Sequence, residues 1–297
     1  MKIGIVLLNY KDFRITKEAA ERSCNLSIDY IVIVDNNSPN ESAKELSKIH
    51  HSKVTFIESN KNNGYAAGNN QGIRYLLKET DCDIIGIVNP DVIIDEKFIM
   101  QIKDDFCNYK NFSVITGIQY KPNHGISDRA FWPLLTKMDV LMSNTILLNR
   151  IFGVNNRQYI KEKLSASQNI IQVGTVEGCC FFIRREDFEQ VSLFDEDTFL
   201  FFEEDILAQK LHRIGKKIAV DKQISFLHNH STTIKSVFSQ YQVDKLLLRS
   251  REIFYRKYFE RNVIDRALYF FSKILFFVER PLWYSYRGFR LRFQNRK

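Results

Sequence analysis

The sequence has few of the features that mark secreted or membrane-spanning proteins. Its 297 residues include only five cysteines and no Cys-x-x-Cys pair, so neither a disulfide framework nor a cysteine-rich zinc site is indicated. No window contains the roughly 18 uncharged apolar residues that a membrane-spanning helix needs. The opening "MKIGIVLLNY" reaches Asn9 too soon for a secretory signal. We therefore expect a globular chain in a reducing cytosol.

The alternation of apolar runs and helical stretches indicates the fold class. Internal repeats and low-complexity linkers are absent, and runs such as "IGIVLLN", "YIVIVD" and "DIIGIVN" are typical of strands buried on both faces. Helical stretches between them indicate parallel crossovers. We predict a doubly wound, mostly parallel α/β sheet, which binds ligands beyond the carboxyl ends of its strands. Asn9, Asp35, Asn60 and Asn89 lie at those ends.

Basic residues are concentrated in the C-terminal tail. The formal net charge is +8, and from Lys235 onward fifteen lysines and arginines occur with only five acidic residues. Aromatic residues interleave with them, which predicts basic aromatic helices that meet an anionic membrane surface rather than nucleic acid. A pair of core-packing helices is the alternative. We assign residues 1–235 to one domain and 236–297 to this tail, and expect an irregular insertion with one or two helices over residues 120–170.

Two segments are candidates for binding a phosphorylated ligand. In "NKNNGYAAGNNQG", residues 60–72, the four-residue glycine spacing matches neither the Rossmann nor the P-loop pattern, yet a loop leading into a helix N-terminus can face phosphate. Asp91 follows a strand in "NPDV", where it is either a turn residue or a ligand of a divalent cation. Asp35 likewise either forms a turn or accepts a hydrogen bond from a nucleotide.

Acidic and histidine residues further along the chain are candidates for catalysis. The run Glu203 to Asp205 opens a helix, where negative charge either compensates the helix dipole or provides a general base. The segments "KKIAVD" and "ISFLHNH" predict two strands. His228 and His230 end the second of them and, two residues apart, point to the same side. Both are either structural or part of one site with Asp91.

Taken together and in order, these segments resemble glycosyltransferase family 2, and within it the branch of rhamnosyl- and galactofuranosyltransferases. The matching segments, which cover about residues 1–232, are "VDNNS", "NNGYAAGNNQG", "NPDV", "VEGCCFFIRR", "FDEDTFLFFEEDILAQKLHRIG" and "HNHS". The resemblance implies a GT-A fold, a nucleotide-diphosphate-sugar donor linked to uridine or thymidine, a divalent metal such as Mg²⁺ or Mn²⁺, and inversion at the anomeric carbon.

The resemblance also implies roles for single residues. Asp91 and His228 match the metal site, and Asn89 stands where many members have the first aspartate of Asp-x-Asp, so this chain has one acidic ligand fewer. Glu204 matches the catalytic base, with Asp205 the alternative if the loop shifts by one residue. The residues that we assign to nucleotide-sugar binding are Asn9, Asp35, Asn36, Asn63, Gly64, Gly68, Asn69 and Asn89.

The acceptor implied is a glycan hydroxyl, in particular that of a lipid-linked intermediate of cell-surface polysaccharide synthesis. Such an acceptor predicts a cytoplasmic enzyme that is peripheral on the inner face of the cell membrane. Two alternatives remain. A sugar nucleotidyltransferase would need a basic residue at its first loop, for which Lys11 and Arg14 are candidates. A non-catalytic domain that binds a nucleotide or a glycan is the other.

Overall fold

The computed structural model describes residues 1–123, 125–229 and 239–294. Two compact units are present, one formed by residues 1–134 and 156–250 and the other by residues 135–155 and 251–297. None of the helices in the described ranges is both long enough and apolar enough to cross a membrane. The functional boundary that the sequence suggests at residue 235 stays a prediction.

The strands and helices take the following bounds. The strands are β1 (Ile3–Asn9), β2 (Tyr30–Asp35), β3 (Val54–Glu58), β4 (Ile84–Val88), β5 (Val92–Ile93), β6 (Phe112–Tyr120), β7 (Phe131–Trp132), β8 (Ile170–Val173), β9 (Thr175–Val176), β10 (Cys180–Arg184) and β11 (Lys217–His228). The helices are α1 (Phe13–Cys24), α2 (Ser42–Leu46), α3 (Tyr65–Glu79), α4 (Glu96–Asn108), α5 (Lys137–Met142), α6 (Ile146–Phe152), α7 (Asn156–Leu164), α8 (Arg185–Gln190), α9 (Glu203–Arg213), α10 (Gln240–Tyr258) and α11 (Val263–Gln294).

The central sheet confirms the predicted α/β fold class. Its strands follow the order β3-β2-β1-β4-β10-β6-β11-β5, and β8 also pairs with β11. The first four of these strands are parallel, and their Ile and Val side chains are almost fully buried in β1, β2 and β4. Because both faces of these strands are covered, they are continuous apolar runs in the sequence.

The second half of the sheet is mixed. β10 runs antiparallel between β4 and β6, with Cys180 opposite Val88. β11 pairs in parallel with β6 and antiparallel with the short β5. As a result, the segment that precedes β10 and the end of β11 both reach the carboxyl end of β4, where a doubly wound sheet places its ligand.

Two expectations about local structure need correction. The segment from 120 to 170 holds three helices, α5 to α7. Val140 and Leu141 of α5 and Ile160 of α7 are buried, whereas α6 has no buried residue. The two strands expected near "KKIAVD" and "ISFLHNH" are one strand, β11, whose pairing with β6 shifts register between Asp221 and Ser225. An irregularity of this kind interrupts the apolar pattern without ending the strand.

Candidate active site

A cavity of about 400 Å³ opens at the carboxyl ends of β1 and β4. Seven of the residues predicted from sequence line it: Asn9, Asn36, Gly64, Asn89, Asp91, Glu204 and His228. The predicted residues Asp35, Asn63, Gly68, Asn69 and Asp205 are not among its lining residues. The second histidine, His230, lies outside the described residues. The sheet thus brings together parts of the sequence that are up to 219 positions apart, from Asn9 to His228.

Strand pairing places His228 beside Asp91. Val92 of β5 is the register partner of His228 at the end of β11, and the backbone N–H of Asn229 donates to the carbonyl of Asp91 at 3.0 Å. His228 Nε2 then lies 3.4 Å from Asp91 Oδ1. The break after β4 therefore has a structural reason: the chain leaves the strand at Asn89 so that Asp91 can face this histidine.

A second carboxylate, that of Glu177, faces the other ring nitrogen of His228. His228 Nδ1 lies 3.8 Å from Glu177 Oε2 and 3.0 Å from Gln119 Nε2, and Gln119 also donates to Glu177. Burial opposes protonation of His228, but the hydrogen bonds and charges of Asp91 and Glu177 raise its pKa to about 9. Burial likewise opposes ionisation of Glu177, and His228 holds the pKa of Glu177 below its ordinary value.

The donor atoms at this point of the cavity suit a divalent cation. Ligand atoms of Glu177, Cys179 and His228 all lie within 4.8 Å of one another. Burial raises the pKa of the Cys179 thiol well above its usual range, so the sulfur stays protonated. Mg²⁺ and Mn²⁺ prefer carboxylate oxygen and accept imidazole, so Asp91 and His228, with Glu177 behind them, fit such an ion better than the thiol does.

Asp35 and Asn9 form a buried polar cluster at the ends of β1 and β2. Asn9 Nδ2 donates to Asp35 Oδ1 at 2.6 Å, and Ser38 donates to the same carboxylate from both its backbone N–H and its hydroxyl. Thr16 donates to Asn9 Oδ1 at 2.8 Å. Asp35 is fully buried. The carboxylate fixes the loop after β2 in this structure, and its contact with a nucleotide base stays a prediction.

The glycine-rich loop closes one wall of the cavity. Asn36 Nδ2 donates to the carbonyl of Gly64 at 3.1 Å, and Tyr65 N–H donates to the carbonyl of Phe199 at 2.8 Å. Gly64 has φ of +97°, and a Cβ there would lie 2.1 Å from Phe199 O. A Cβ at Gly68 would lie 2.6 Å from Leu8 Cδ1, so Gly68 lets α3 approach β1 closely. Gly64 shapes the cavity, whereas Gly68 packs behind it.

Gly64→Ala should therefore damage both the fold and ligand binding. The added methyl meets the Phe199 carbonyl and the backbone needs a positive φ, so we expect a loss of about 1–3 kcal/mol in the free energy of unfolding and weaker nucleotide binding. Gly215→Ala is the matched control, because Gly215 has φ of +74° with no atom within 4 Å of a Cβ. Thermal denaturation and nucleotide titration of both variants test this. Nucleotide affinity of Gly64→Ala equal to that of Gly215→Ala would contradict it.

The acidic run lies at the start of α9, behind two strained residues. Phe201 and Phe202 have φ of 75° and 69°, a region that bulky side chains rarely adopt. Burial, together with the charges of Glu203 and Asp205, raises the pKa of Glu204 well above its ordinary value. Burial raises the pKa of Glu203 to about 7, and its Oε1 has no hydrogen-bond partner among the described residues. Strain and buried charge are thus concentrated at the cavity wall.

Glu204 and Asp205 differ in where their carboxylates point. Glu204 lines the cavity, and a Cβ built at Gly178 would lie 3.7 Å from Glu204 Oε2. Asp205 instead accepts a hydrogen bond from Trp132 Nε1 at 2.7 Å. Trp132 belongs to β7, which pairs with β9, the short strand that directly precedes Glu177. This geometry favours Glu204 over Asp205 as the catalytic base, and both assignments stay predictions.

The cavity also contains side chains that the sequence analysis missed. Tyr65 Oη lies 2.9 Å from Asn89 Oδ1 and 2.8 Å from Gly178 O, which ties the glycine-rich loop to the end of β4. Arg129 lines the cavity from the segment before β7. Glu177 precedes β10 in "VEGCC", a segment that carries the family resemblance without an assigned role for Glu177. A strand preceded by an isolated charged residue is the signal that could have identified Glu177.

Comparison with known proteins establishes the family. The profile described as Glycosyl transferase family 2 matches residues 10–192, more than half of the chain. The low-salt glycan biosynthesis hexosyltransferase Agl10 of Haloferax volcanii is 26% identical over 274 residues, which cover 92% of this chain and 81% of that protein. The chain belongs to glycosyltransferase family 2, as its motifs predicted. The rhamnosyl and galactofuranosyl branch stays a prediction.

Solved structures share the GT-A fold. GalNAc-T7 with UDP, GalNAc and Mn²⁺ gives a TM-score of 0.57 at 11% identity over 77% of this chain, which spans only 44% of that chain. The mannosyltransferase PcManGT from Pyrobaculum calidifontis, in complex with GDP-Man and Mn²⁺, gives a TM-score of 0.55 at 10% identity over 92% of this chain and 69% of its own. At these identities the likeness shows the fold alone.

Proposed function

We propose that the protein is an inverting, metal-dependent glycosyltransferase. It transfers a sugar from a uridine- or thymidine-diphosphate sugar to a hydroxyl group of a glycan. The observation that carries the proposal is the cavity itself, where Asp91 and His228 lie 3.4 Å apart and Glu204 lines the same space. Relatives of the same fold have been described with UDP or GDP-Man and Mn²⁺, which supports a nucleotide-sugar donor and a metal.

Asp91 and His228 would hold the cation, and Glu177 would orient the histidine. When bound, the cation supplies positive charge next to the diphosphate of the donor. The Asn36 amide donates a hydrogen bond to the Gly64 carbonyl and so fixes the loop that leads into α3. The Tyr65 hydroxyl joins that loop to Asn89 and Gly178, so the wall that faces the donor is pre-organised.

Arg129 would face the leaving diphosphate. Five carboxylates line the cavity, those of Asp12, Asp91, Glu177, Glu203 and Glu204. An anionic donor in such a cavity needs positive charge in addition to a cation held by Asp91 and His228. Arg129 lines the same cavity, and its guanidinium would offer paired N–H donors to phosphate oxygens.

Arg129→Gln should lower the affinity for nucleoside diphosphate by about tenfold, the loss of one charge-assisted phosphate contact. Affinity for the corresponding nucleoside, which has no phosphate, should be unchanged. Arg157→Gln is the control, because Arg157 pairs with Asp128 at 3.1 Å and does not line the cavity. Calorimetric titration of both ligands into both variants tests this. An equal loss of affinity for the nucleoside and for the nucleoside diphosphate would show that Arg129 does not contact the phosphates.

Glu204 would take the proton of the acceptor hydroxyl as that oxygen attacks the anomeric carbon from the face opposite the diphosphate. A general base works best when its pKa lies near the working pH. Burial and the two adjacent acids move the pKa of Glu204 upward, toward that range. The strained Phe201–Phe202 turn places this carboxylate at the wall of the cavity.

Asp205→Asn should shift the acidic limb of the pH–activity profile to lower pH. The Asp205 charge raises the pKa of Glu204, so removing it lets Glu204 lose its proton at lower pH. Asparagine keeps an oxygen that can accept from Trp132 Nε1, so the fold should be retained. We expect a shift of up to about one pH unit in kcat/KM. Complete loss of activity would instead identify Asp205 as the base.

The acceptor would be a lipid-linked glycan on the inner face of the cell membrane. The basic and aromatic composition of the tail supports this placement. A peripheral enzyme of this kind takes its donor from the cytoplasm and meets its acceptor at the lipid surface.

The stereochemistry of donor hydrolysis tests the mechanism. With water as the acceptor, proton NMR should show the anomer opposite to that of the donor as the first product. Retention of configuration would contradict the proposal. Pyrophosphate release from a sugar-1-phosphate and a nucleoside triphosphate would identify a nucleotidyltransferase, although Lys11 and Arg14, the basic residues available for it, do not line the cavity.

A further inference from the structure

Helix α11 carries apolar side chains on two opposite faces. Its inner face includes Tyr269, Ser272 and Phe276, all buried within the second unit. Its outer face is exposed over about five turns of the helix, from Ile264, which is 68% exposed, to Leu282, which is 66% exposed. The other residues that define this outer face are Phe270, Phe271, Ile274, Leu275, Phe277 and Val278. Contiguous exposed apolar area of this kind marks an interaction site.

The inner face is fixed by specific contacts, so the helix cannot rotate to bury its outer face. Asn144 Nδ2 donates to Ser272 Oγ at 2.7 Å, and the rings of Tyr255 and Tyr269 stack with their centroids 4.3 Å apart. Lys137 Nζ lies 2.6 Å from Asp265 Oδ2. Rotating α11 would break these contacts and leave polar groups unpaired.

Helix α6 adds a second exposed apolar group in the same unit. Glu279 of α11 accepts hydrogen bonds from the backbone N–H groups of Ile146 and Leu147, which fixes the start of α6 on α11. Leu147 and Ile151, four residues apart, share one side of α6, and Phe152 follows them; all three are at least 60% exposed. This short helix lies in the segment for which the sequence predicted an irregular insertion with one or two helices.

The width of the outer face indicates what covers it. A coiled-coil seam uses two positions of each heptad. On the outer face, exposed apolar residues occupy four of the seven heptad positions. One position holds Phe270 and Phe277, a second holds Phe271 and Val278, and the other two hold Ile274 and Leu275. So wide an apolar face is typical of a helix that lies in the membrane interface.

The charge around this surface matches an anionic lipid. Arg266 on α11 and Arg150 on α6 are exposed, and the chain from Lys235 onward has fifteen basic and five acidic residues. Trp283 and Tyr286 follow the outer face, where amphipathic rings suit the headgroup region. The inner face holds Ser272 and Glu279, so α11 suits the surface rather than the interior of a bilayer.

We propose that α6 and the outer face of α11 form one docking surface for an anionic lipid membrane, on which α11 lies along the bilayer plane. The proposal deepens the proposed function, because a lipid-linked acceptor would be met at this surface. It assigns the contact to particular residues and adds α6 to the tail.

Vesicle sedimentation of the full chain tests the surface. The vesicles consist of phosphatidylcholine alone or of phosphatidylcholine mixed with phosphatidylglycerol. The variants are Phe271→Ser with Leu275→Ser on α11, Ile151→Ser with Phe152→Ser on α6, and Met100→Ser as a control at an exposed apolar residue of the first unit. We expect the wild type and Met100→Ser to sediment with the anionic vesicles, and each pair of changes to reduce binding at least about tenfold.

Unchanged vesicle binding by both pairs of changes would overturn the proposal. So would a wild-type dimer that becomes a monomer in these variants without loss of lipid binding, since a second copy would then cover the face. Donor hydrolysis in solution without vesicles separates this test from that of the proposed function. A variant that no longer binds vesicles but still hydrolyses the donor supports the proposed docking surface. A wild-type protein that binds vesicles but hydrolyses no donor contradicts the proposed enzymatic function and leaves the docking surface standing.

Discussion

Replacing Asp91 with asparagine should reduce sugar transfer by about 10³-fold, the size of effect seen when one group that stabilises developing charge is removed. The change keeps the shape of the side chain, and the backbone carbonyl of Asp91 still accepts from Asn229. It removes the carboxylate that faces His228 Nε2. Because the motif reads Asn89-Pro90-Asp91, it contains no second carboxylate that could take the place of Asp91.

Transfer rates and Mn²⁺ binding should fall together in Asp91→Asn. Asp104→Asn is the matched control, since Asp104 is an exposed aspartate of the nearby α4 and should behave as wild type. Metal binding can be followed by the loss of the free Mn²⁺ signal in electron paramagnetic resonance. Full activity of Asp91→Asn with saturating Mg²⁺ would show that the cation site is elsewhere.

Glu204→Gln should lower kcat by about 10²–10⁴-fold, the contribution of a general base, while the affinity for the donor is retained. Glutamine keeps the volume of the side chain and removes the atom that accepts the proton. At high pH the Glu204→Gln variant should also have a larger free energy of unfolding than the wild type. The burial that raises the pKa of Glu204 penalises its charged form, and that cost to folding grows as pH rises through the raised pKa.

Steady-state kinetics and donor titration of Glu204→Gln separate chemistry from binding. Glu203→Gln is the informative comparison, because Glu203 also lines the cavity and has a pKa raised to about 7. A larger loss of kcat in Glu203→Gln than in Glu204→Gln would identify Glu203, rather than Glu204, as the catalytic base. Comparable loss in donor affinity and kcat would indicate a binding role instead.

The first half of the sheet could be predicted because its signals are local. The apolar run that precedes Asn89 is followed by Asn89 and Pro90, and the strand does end at Val88. Asp91 could be singled out for the same reason, since a carboxylate directly after a buried strand is costly unless it has a partner. Its partner, His228, could be suggested only as one of two alternatives until the resemblance was considered, because their pairing joins residues 137 positions apart.

The rest of the site depends on long-range packing that no local pattern contains. Glu177 reaches His228 only because β10 inserts antiparallel between β4 and β6. Trp132 reaches Asp205 through the two-residue strands β7 and β9, which are too short to give a period in the sequence. The exposed apolar side of α6 could not be predicted either, because a helix of seven residues is too short to show a clear amphipathic pattern. Its orientation follows only from its hydrogen bonds to α11.

One measurement tests the central claim most directly. The purified protein is incubated with a panel of uridine- and thymidine-diphosphate sugars, in Mn²⁺, in Mg²⁺ and in excess chelator, and free nucleoside diphosphate is quantified by chromatography. We predict release from at least one donor with metal present and its loss in chelator. Turnover of no donor, or release that the chelator leaves unchanged, would contradict a metal-dependent glycosyltransferase built around Asp91 and His228.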